Sequence, residues 1–243
     1  MKEFPYQINC DLGEEKNVEA DIMPLIQAAN IACGAHAGSP KLIAECIQLA
    51  KLNDVKIGIH PSYPDRENFG RVVMDIPIQK LLESLKNQID VFVEIAKKEN
   101  GVIHHLKFHG ALYNKVAKDE SLANKIVGFL ENYSKDWIVF CPPNSYFESV
   151  LKKNGRKIWR EAFLDRAYNA DGSLTSRKIP GAVLNNKNEV FQQFEYLIKN
   201  KTVYSIAGEE VPLNAETFCI HGDHENSLEI LNYIKGQFLD GNL

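Results

Sequence analysis

The sequence carries none of the short motifs that announce a common cofactor or nucleophile. It has no G-x-x-x-x-G-K-[ST] phosphate loop and no G-x-G-x-x-G turn, so no standard nucleotide cradle is encoded. It has no G-x-S-x-G elbow and no H-E-x-x-H pair, which removes the usual serine hydrolase and the usual zinc protease. No apolar run is long enough to span a bilayer. A net charge of −4 leaves no basic excess for a nucleic-acid surface. The five cysteines include no C-x-x-C pair, and an odd count argues against a disulfide framework. Four of them sit in or beside apolar runs, as small buried hydrophobes do in a reducing compartment. Met1-Lys2-Glu3-Phe4-Pro5 offers no apolar signal core, so a cytoplasmic location is expected. No repeat, linker or low-complexity tract breaks the chain.

What is present is an alternation. Short apolar runs at 6–10, 30–33, 55–60, 103–108, 137–141, 158–164, 203–206 and 217–220 read as strands. Helical periodicity fills 21–29, 41–53, 77–99, 111–133, 145–153, 187–200 and 225–238, and long loops are expected at 61–76 and 165–180. Strict β/α alternation in 243 residues predicts an α/β fold with one parallel sheet and one domain over 1–243. The strands are one-sided. Val55, Ile57 and Ile59 share a face opposite Lys56, Gly58 and His60, and Leu106 and Phe108 oppose His105, Lys107 and His109. A doubly wound sheet would bury both faces under helices and want both apolar. One apolar face and polar carboxyl ends fit a closed barrel whose mouth carries the chemistry.

Several polar groups stand at those strand ends. Asp11 closes the first strand, a place for a general base or a metal ligand. His36 lies between Gly34 and Gly38, and Ser39-Pro40 reads as a helix cap. His60 opens a loop that carries Arg66 and Arg71, both able to grip an anion. His105, Lys107 and His109 line one strand face, while His104 faces away. An inward lysine is either discharged by burial or kept charged by a carboxylate, and both states are useful. Arg166 begins the second long loop, where Asp171-Gly172 is a turn. His221 and Asp223 share a face at the last strand end and are expected to pair as imidazole and carboxylate.

Six segments of this kind occur in a familiar order. They are Asn9–Glu14, Ala29–Gly38, His60–Arg71, Lys107–Asn114, Asp165–Tyr168 with Asp171–Leu174, and Cys219–Asp223. Together they resemble the 5-oxoprolinase A-subunit family, the LamB/YcsF-type proteins. The resemblance implies an irregular seven-stranded β/α barrel like that of the glycoside hydrolase/deacetylase superfamily. It also implies ATP-dependent opening of 5-oxo-L-proline (pyroglutamate) to L-glutamate, with 5-oxoprolinase subunits B and C as partners. The chain departs from the family's usual residues at Ala35, Ser39, Phe108 and 175–181, beside the polar groups rather than at them, which bears on substrate preference.

The expected mechanism is lactam hydrolysis by activated water, with ATP as co-substrate. Asp11 serves as base or metal ligand, His60 and His109 position water, and Lys107 stabilises the oxyanion. His36, Arg71, His105, Arg166, His221 and Asp223 are expected to contact substrate, Arg166 and Arg71 at its carboxylate. A divalent metal is left open. The first rival is a stand-alone metal-dependent deacetylase or amidohydrolase using Asp11 and two histidines. The second is a binding protein without catalysis.

Overall fold

The computed structural model describes residues 4–241. Seven parallel strands close into a barrel. Six run in chain order around it: β1 (Gln7–Leu12), β2 (Ala28–Ala32), β3 (Lys56–His60), β4 (Ile103–Leu106), β5 (Ile138–Cys141) and β6 (Ile158–Phe163). The chain then forms an antiparallel hairpin, β7 (Thr202–Tyr204) with β8 (Glu210–Pro212), outside the barrel. Strand β9 (Thr217–His221) returns between β6 and β1 and closes the ring. Helices α1 (Glu19–Ile22), α2 (Pro40–Leu52), α3 (Ile78–Lys98), α4 (Gly110–Lys118), α5 (Glu120–Leu130), α6 (Tyr146–Lys153), α7 (Lys187–Lys199) and α8 (Ser227–Leu239) occupy the connections. In α3, Leu81, Leu85, Ile89, Phe92 and Ala96 make a stripe at three- and four-residue spacing, and all are buried. At the start of α2, Ser39 accepts the Leu42 N–H and Pro40 takes the first turn, as the cap reading predicts. Among the described residues no helix is long and apolar enough to cross a membrane.

Three local expectations change. The helix expected at 21–29 is only α1 and a 3₁₀ turn, Met23–Leu25. Pro24 lacks an N–H to continue it, and β2 starts at Ala28 instead of 30. The run at 203–206 is not a barrel strand, because its partner is β8. That partner is three residues long with one buried side chain, too short to show a period. The strand expected to reach 108 ends at Leu106, yet the Lys107 N–H still donates to Ile59 O at 3.0 Å and the His109 N–H to Pro61 O at 2.9 Å. The side chains of His105, Lys107 and His109 therefore stay on the inside.

The barrel interior is a polar network where branched apolar layers are the norm. Asn9 donates to Thr217 Oγ1 at 2.8 Å, Asn30 donates to Asn9 Oδ1 at 2.7 Å, and His105 Nε2 meets Asn30 Oδ1 at 2.7 Å. Gly58 faces the same layer, and a Cβ there would run into the His105 ring. His105 is also stacked on Phe140, with centroids 4.1 Å apart, and has no exposed surface. This corrects its expected role as a substrate contact. His105 fills the barrel one layer beneath the mouth.

Candidate active site

At the carboxyl ends of the strands the network becomes ionic. Lys107 Nζ lies 2.8 Å from Asp11 Oδ1 and 2.9 Å from Glu161 Oε1, with Cys219 Sγ at 3.1 Å. All three ionic side chains are almost fully buried. Burial opposes charge on the lysine, but Asp11 and its other acidic neighbours outweigh it and hold the ammonium pKa well above the usual range. Burial likewise opposes charge on Asp11, and His60 and Lys107 reverse it, so its carboxyl lies well below the usual range. Of the two lysine states open from sequence, the ion pair is the one formed. Glu161 lies on the polar face of its strand and was not among the residues expected at the site. Its signal was an acidic residue alternating with Ala162 on a strand end.

Beside this triad three imidazoles converge. His36 and His109 stack at 3.8 Å, and His60 stands edge-on to both. Gly70 (φ +63°) passes directly over the pair, where a Cβ would come within 3.0 Å of both residues. Each ring has one nitrogen tied to a fixed acceptor. His60 Nδ1 donates to Lys107 O at 2.9 Å, and His109 Nε2 donates to Phe69 O at 2.9 Å. Ser62 Oγ spends its proton on Tyr63 O, so it accepts from His36 Nδ1 at 2.9 Å. Glu14 joins them, with Oε1 3.2 Å from His36 Nε2 and 3.4 Å from His109 Nδ1. It too was absent from the residues expected at the site, although it ends the first motif. Burial, then His60, takes the His36 pKa down to about 2, and burial also holds His109 low and pushes Glu14 up.

A cavity of about 850 Å³ opens above this floor. Its wall includes Asp11, Lys107, His109 and His221, and the cations Arg71, Arg166 and Arg177. A second chamber of about 390 Å³ shares Tyr113, Phe163 and Ser173 with it and exposes Glu161 on its own wall. Glu161 lies against the Lys107 ammonium and the Tyr113 hydroxyl, and beyond these neighbours neither side chain meets another hydrogen-bond partner among the described residues.

The other expected contacts divide. His36 and His60 are buried behind His109 and do not face the cavity. Arg166 reaches the wall, but its guanidinium is held by Thr175 O at 2.5 Å and Ala182 O at 3.1 Å, and it braces the second long loop. Burial lowers its pKa to about 10. The expected His221–Asp223 pair does not form. His221 Nδ1 meets Asp165 at 2.9 Å, whereas Asp223 takes Arg71 at 2.7 Å. His221 and Asp223 alternate on a strand end, but the neighbouring strand β6 delivers Asp165 to the imidazole first. Arg177, also missed, comes from the loop whose sequence departs from the resemblance.

Comparison with known proteins agrees with this architecture. Residues 6–242 match the LamB/YcsF family. The 5-oxoprolinase A-subunit of Pyrococcus horikoshii is 37% identical over 233 residues, covering 94% of this chain and 91% of that protein. That of Pyrococcus abyssi is 38% identical over the same shares. The crystal structure of a lactam utilization protein from Thermus thermophilus superposes with a TM-score of 0.89 at 30% identity, covering 98% of each chain. A GH113 β-1,4-mannanase superposes with a TM-score of 0.51 at 14% identity, covering 98% of this chain and 99% of its own, which speaks to the fold alone.

Proposed function

The chain belongs to the LamB/YcsF family, and from that premise we propose that it works as the A-subunit of a 5-oxoprolinase. In this reading it opens the lactam ring of 5-oxo-L-proline to give L-glutamate, with ATP as co-substrate and subunits B and C as partners. The observation that supports it best is the floor of the cavity: an ionised carboxylate and an ammonium, Asp11 and Lys107, beneath a wall of arginines. Such a cavity takes a small anion and sets a base and an oxyanion partner against it.

Asp11 accepts a proton from the attacking water, and the His109 ring, whose Nε2–H is spent on Phe69 O, closes the cavity wall beside it without touching that water. His60 touches Asp11 at 3.3 Å and acts through it, as a positioning residue. Lys107 meets the oxygen on which charge develops. Arg71 and Arg177 hold the substrate carboxylate, and Asp223 holds Arg71 in place. Glu161 and Tyr113, with hydrogen-bonding capacity unspent, face the ring nitrogen from the second chamber. A carboxylate held as strongly ionised as Asp11 is a weak base. It suffices for a lactam phosphorylated on its oxygen by ATP. Water then adds to the carbon, the C–N bond breaks as the nitrogen takes a proton, and the acyl phosphate so formed is hydrolysed to glutamate and phosphate. It falls short for an unactivated amide, which is the chemical reason for coupling to ATP. With no phosphate loop in the chain, nucleotide handling falls wholly or partly to the partners. The five cysteines are free and buried, which suits a reducing compartment such as the cytoplasm.

The test is 5-oxoproline-dependent ATP hydrolysis and glutamate formation, with the chain alone and with the partners added. Coupled turnover only in the assembly is expected. Hydrolysis of N-acyl substrates by the chain alone, without ATP, would favour the amidohydrolase reading. Asp11→Ala with unaltered saturated turnover would favour a binding protein without catalysis.

A further inference from the structure

Three histidines and a glutamate meet behind the cavity, and the outer contact of each ring fixes which nitrogen carries its proton. Because backbone carbonyls accept only, the Lys107 and Phe69 contacts fix the N–H on His60 Nδ1 and His109 Nε2. The Ser62 hydroxyl, committed to Tyr63 O, fixes it on His36 Nδ1. The opposite nitrogens, His36 Nε2, His60 Nε2 and His109 Nδ1, are therefore bare lone pairs. They converge with a Glu14 oxygen so that all four atoms lie within 4.8 Å of one another. His60 Nε2 and His109 Nδ1 face each other at 3.0 Å, lone pair to lone pair. That arrangement needs a positive charge in the middle, either a proton or a metal cation.

The dimensions identify the cation class. Ligand atoms bound to zinc at 2.0–2.1 Å in a tetrahedron are about 3.3 Å apart. Three of the six distances between ligand atoms here are 3.0, 3.2 and 3.4 Å, and all six lie within 4.8 Å. The outer N–H of each ring donates to a carbonyl or a hydroxyl, the supporting pattern that orients metal-bound imidazoles.

We propose that Glu14, His36, His60 and His109 bind one divalent transition-metal ion of the zinc class. This is a different donor set from Asp11 with two histidines, the set suggested by sequence. Its four protein ligands fill a tetrahedron, and all four are buried. Closed sites of that kind are structural, whereas catalytic ones keep a position open. The four residues follow or end β1, β2, β3 and β4 in turn, so the ion clamps four adjacent strand ends under the mouth. The inference does not depend on the substrate assigned above.

The test uses the full chain, stripped with a chelator and titrated with Zn²⁺ and with Co²⁺, without substrate or partners. One ion per chain is expected, with a rise in the unfolding midpoint and Co²⁺ absorption bands of four-coordinate intensity. His109→Ala and Glu14→Gln should each weaken binding at least about tenfold, the usual cost of losing a zinc-site contact. His104→Gln, outside the cluster, should bind as the parent does. Failure of the parent chain to take up one ion in that titration would overturn the proposal, even if the variants were too unstable to study. Equal binding by the parent and the two cluster variants would overturn it as well.

Discussion

Lys107→Met is the sharpest perturbation of the cavity floor. It keeps the length and apolar stem of the side chain and removes the one described cation in contact with both Asp11 and Glu161. Two buried carboxylates then share the floor with only the His60 imidazole, beside Asp11, to offset them. Removing one partner of a buried ion pair costs about 3–5 kcal/mol. At roughly 2–4 °C per kcal/mol for a chain of this size, the unfolding midpoint should fall by about 6–20 °C at neutral pH. The loss should depend on pH with a defined sign. In the parent, the folded Asp11 pKa lies below its unfolded value. Its stabilisation is present above the unfolded pKa and is lost only as pH falls through the folded one, below the usual carboxylate range. The folded Lys107 pKa is raised, so its contribution is present below the unfolded lysine value and is lost only as pH rises past the folded one. Between about pH 5 and 9 this pair therefore adds no slope. In Lys107→Met, burial and mutual repulsion raise both carboxyls. Stability should fall as pH rises through their new values and recover on acidification. Thermal melts followed by circular dichroism from about pH 8 down to about pH 5 read this directly. Glu161→Gln added to Lys107→Met should restore part of the loss. A variant as stable as its parent, or a deficit that does not change with pH, would refute the ion-triad argument.

Arg71→Gln removes a charge-assisted contact to the substrate carboxylate. The KM for 5-oxoproline should rise about 10- to 100-fold with kcat little changed, and an unaltered KM would reassign the residue. Gly58→Ala drives a methyl group into the His105 ring and should cost about 1–3 kcal/mol by denaturant unfolding. The double variant with His105→Ala should relieve that overlap, which a purely conformational glycine effect would not allow. His105 is held neutral by burial, its folded pKa well below the usual histidine range. As pH falls below about 6.5 the unfolded chain takes up a proton that the folded chain refuses, so stability should drop by about 1.4 kcal/mol per pH unit from this residue. His105→Gln should remove that slope in urea titrations, and an unchanged slope would mean the ring is not buried neutral.

The barrel was legible because its information is local. One-sided strands such as 55–60 betray a closed sheet through a period of two, and the polar ends of β1, β3 and β9 mark the mouth without any knowledge of which strand neighbours which. The site was legible only to that depth. Asp11 and Lys107 point inward by the same parity, and 96 residues separate them in the chain yet 2.8 Å in space. Parity cannot say how far down the barrel a residue sits, and so His105 reads like Lys107 although it lies a layer below. It cannot say which strand supplies the partner either, and so His221 reads as Asp223's neighbour when β6 brings Asp165 to it. Glu14 and Glu161 were left out of the expected site for the opposite reason. Acidic residues are common at turns and strand ends, and only closure of the ring shows that these two are buried beside a lysine and three imidazoles.

A polar barrel interior is costly to build, since each buried group must find its partner or destabilise the fold. Here the cost is partly offset. Asparagine, threonine and histidine satisfy one another beneath, and above them Lys107 pairs with Asp11 and Glu161, one ammonium against two carboxylates. Two places remain uncompensated among the described residues: the Glu161–Tyr113 wall of the second chamber and the bare nitrogens around Glu14. In an interior otherwise satisfied, unspent donors and acceptors point to what the chain binds. The first faces open space large enough for a substrate, and the second encloses space for a single ion. On that argument the two deficits have different occupants, and supplying metal should stabilise the chain without substrate.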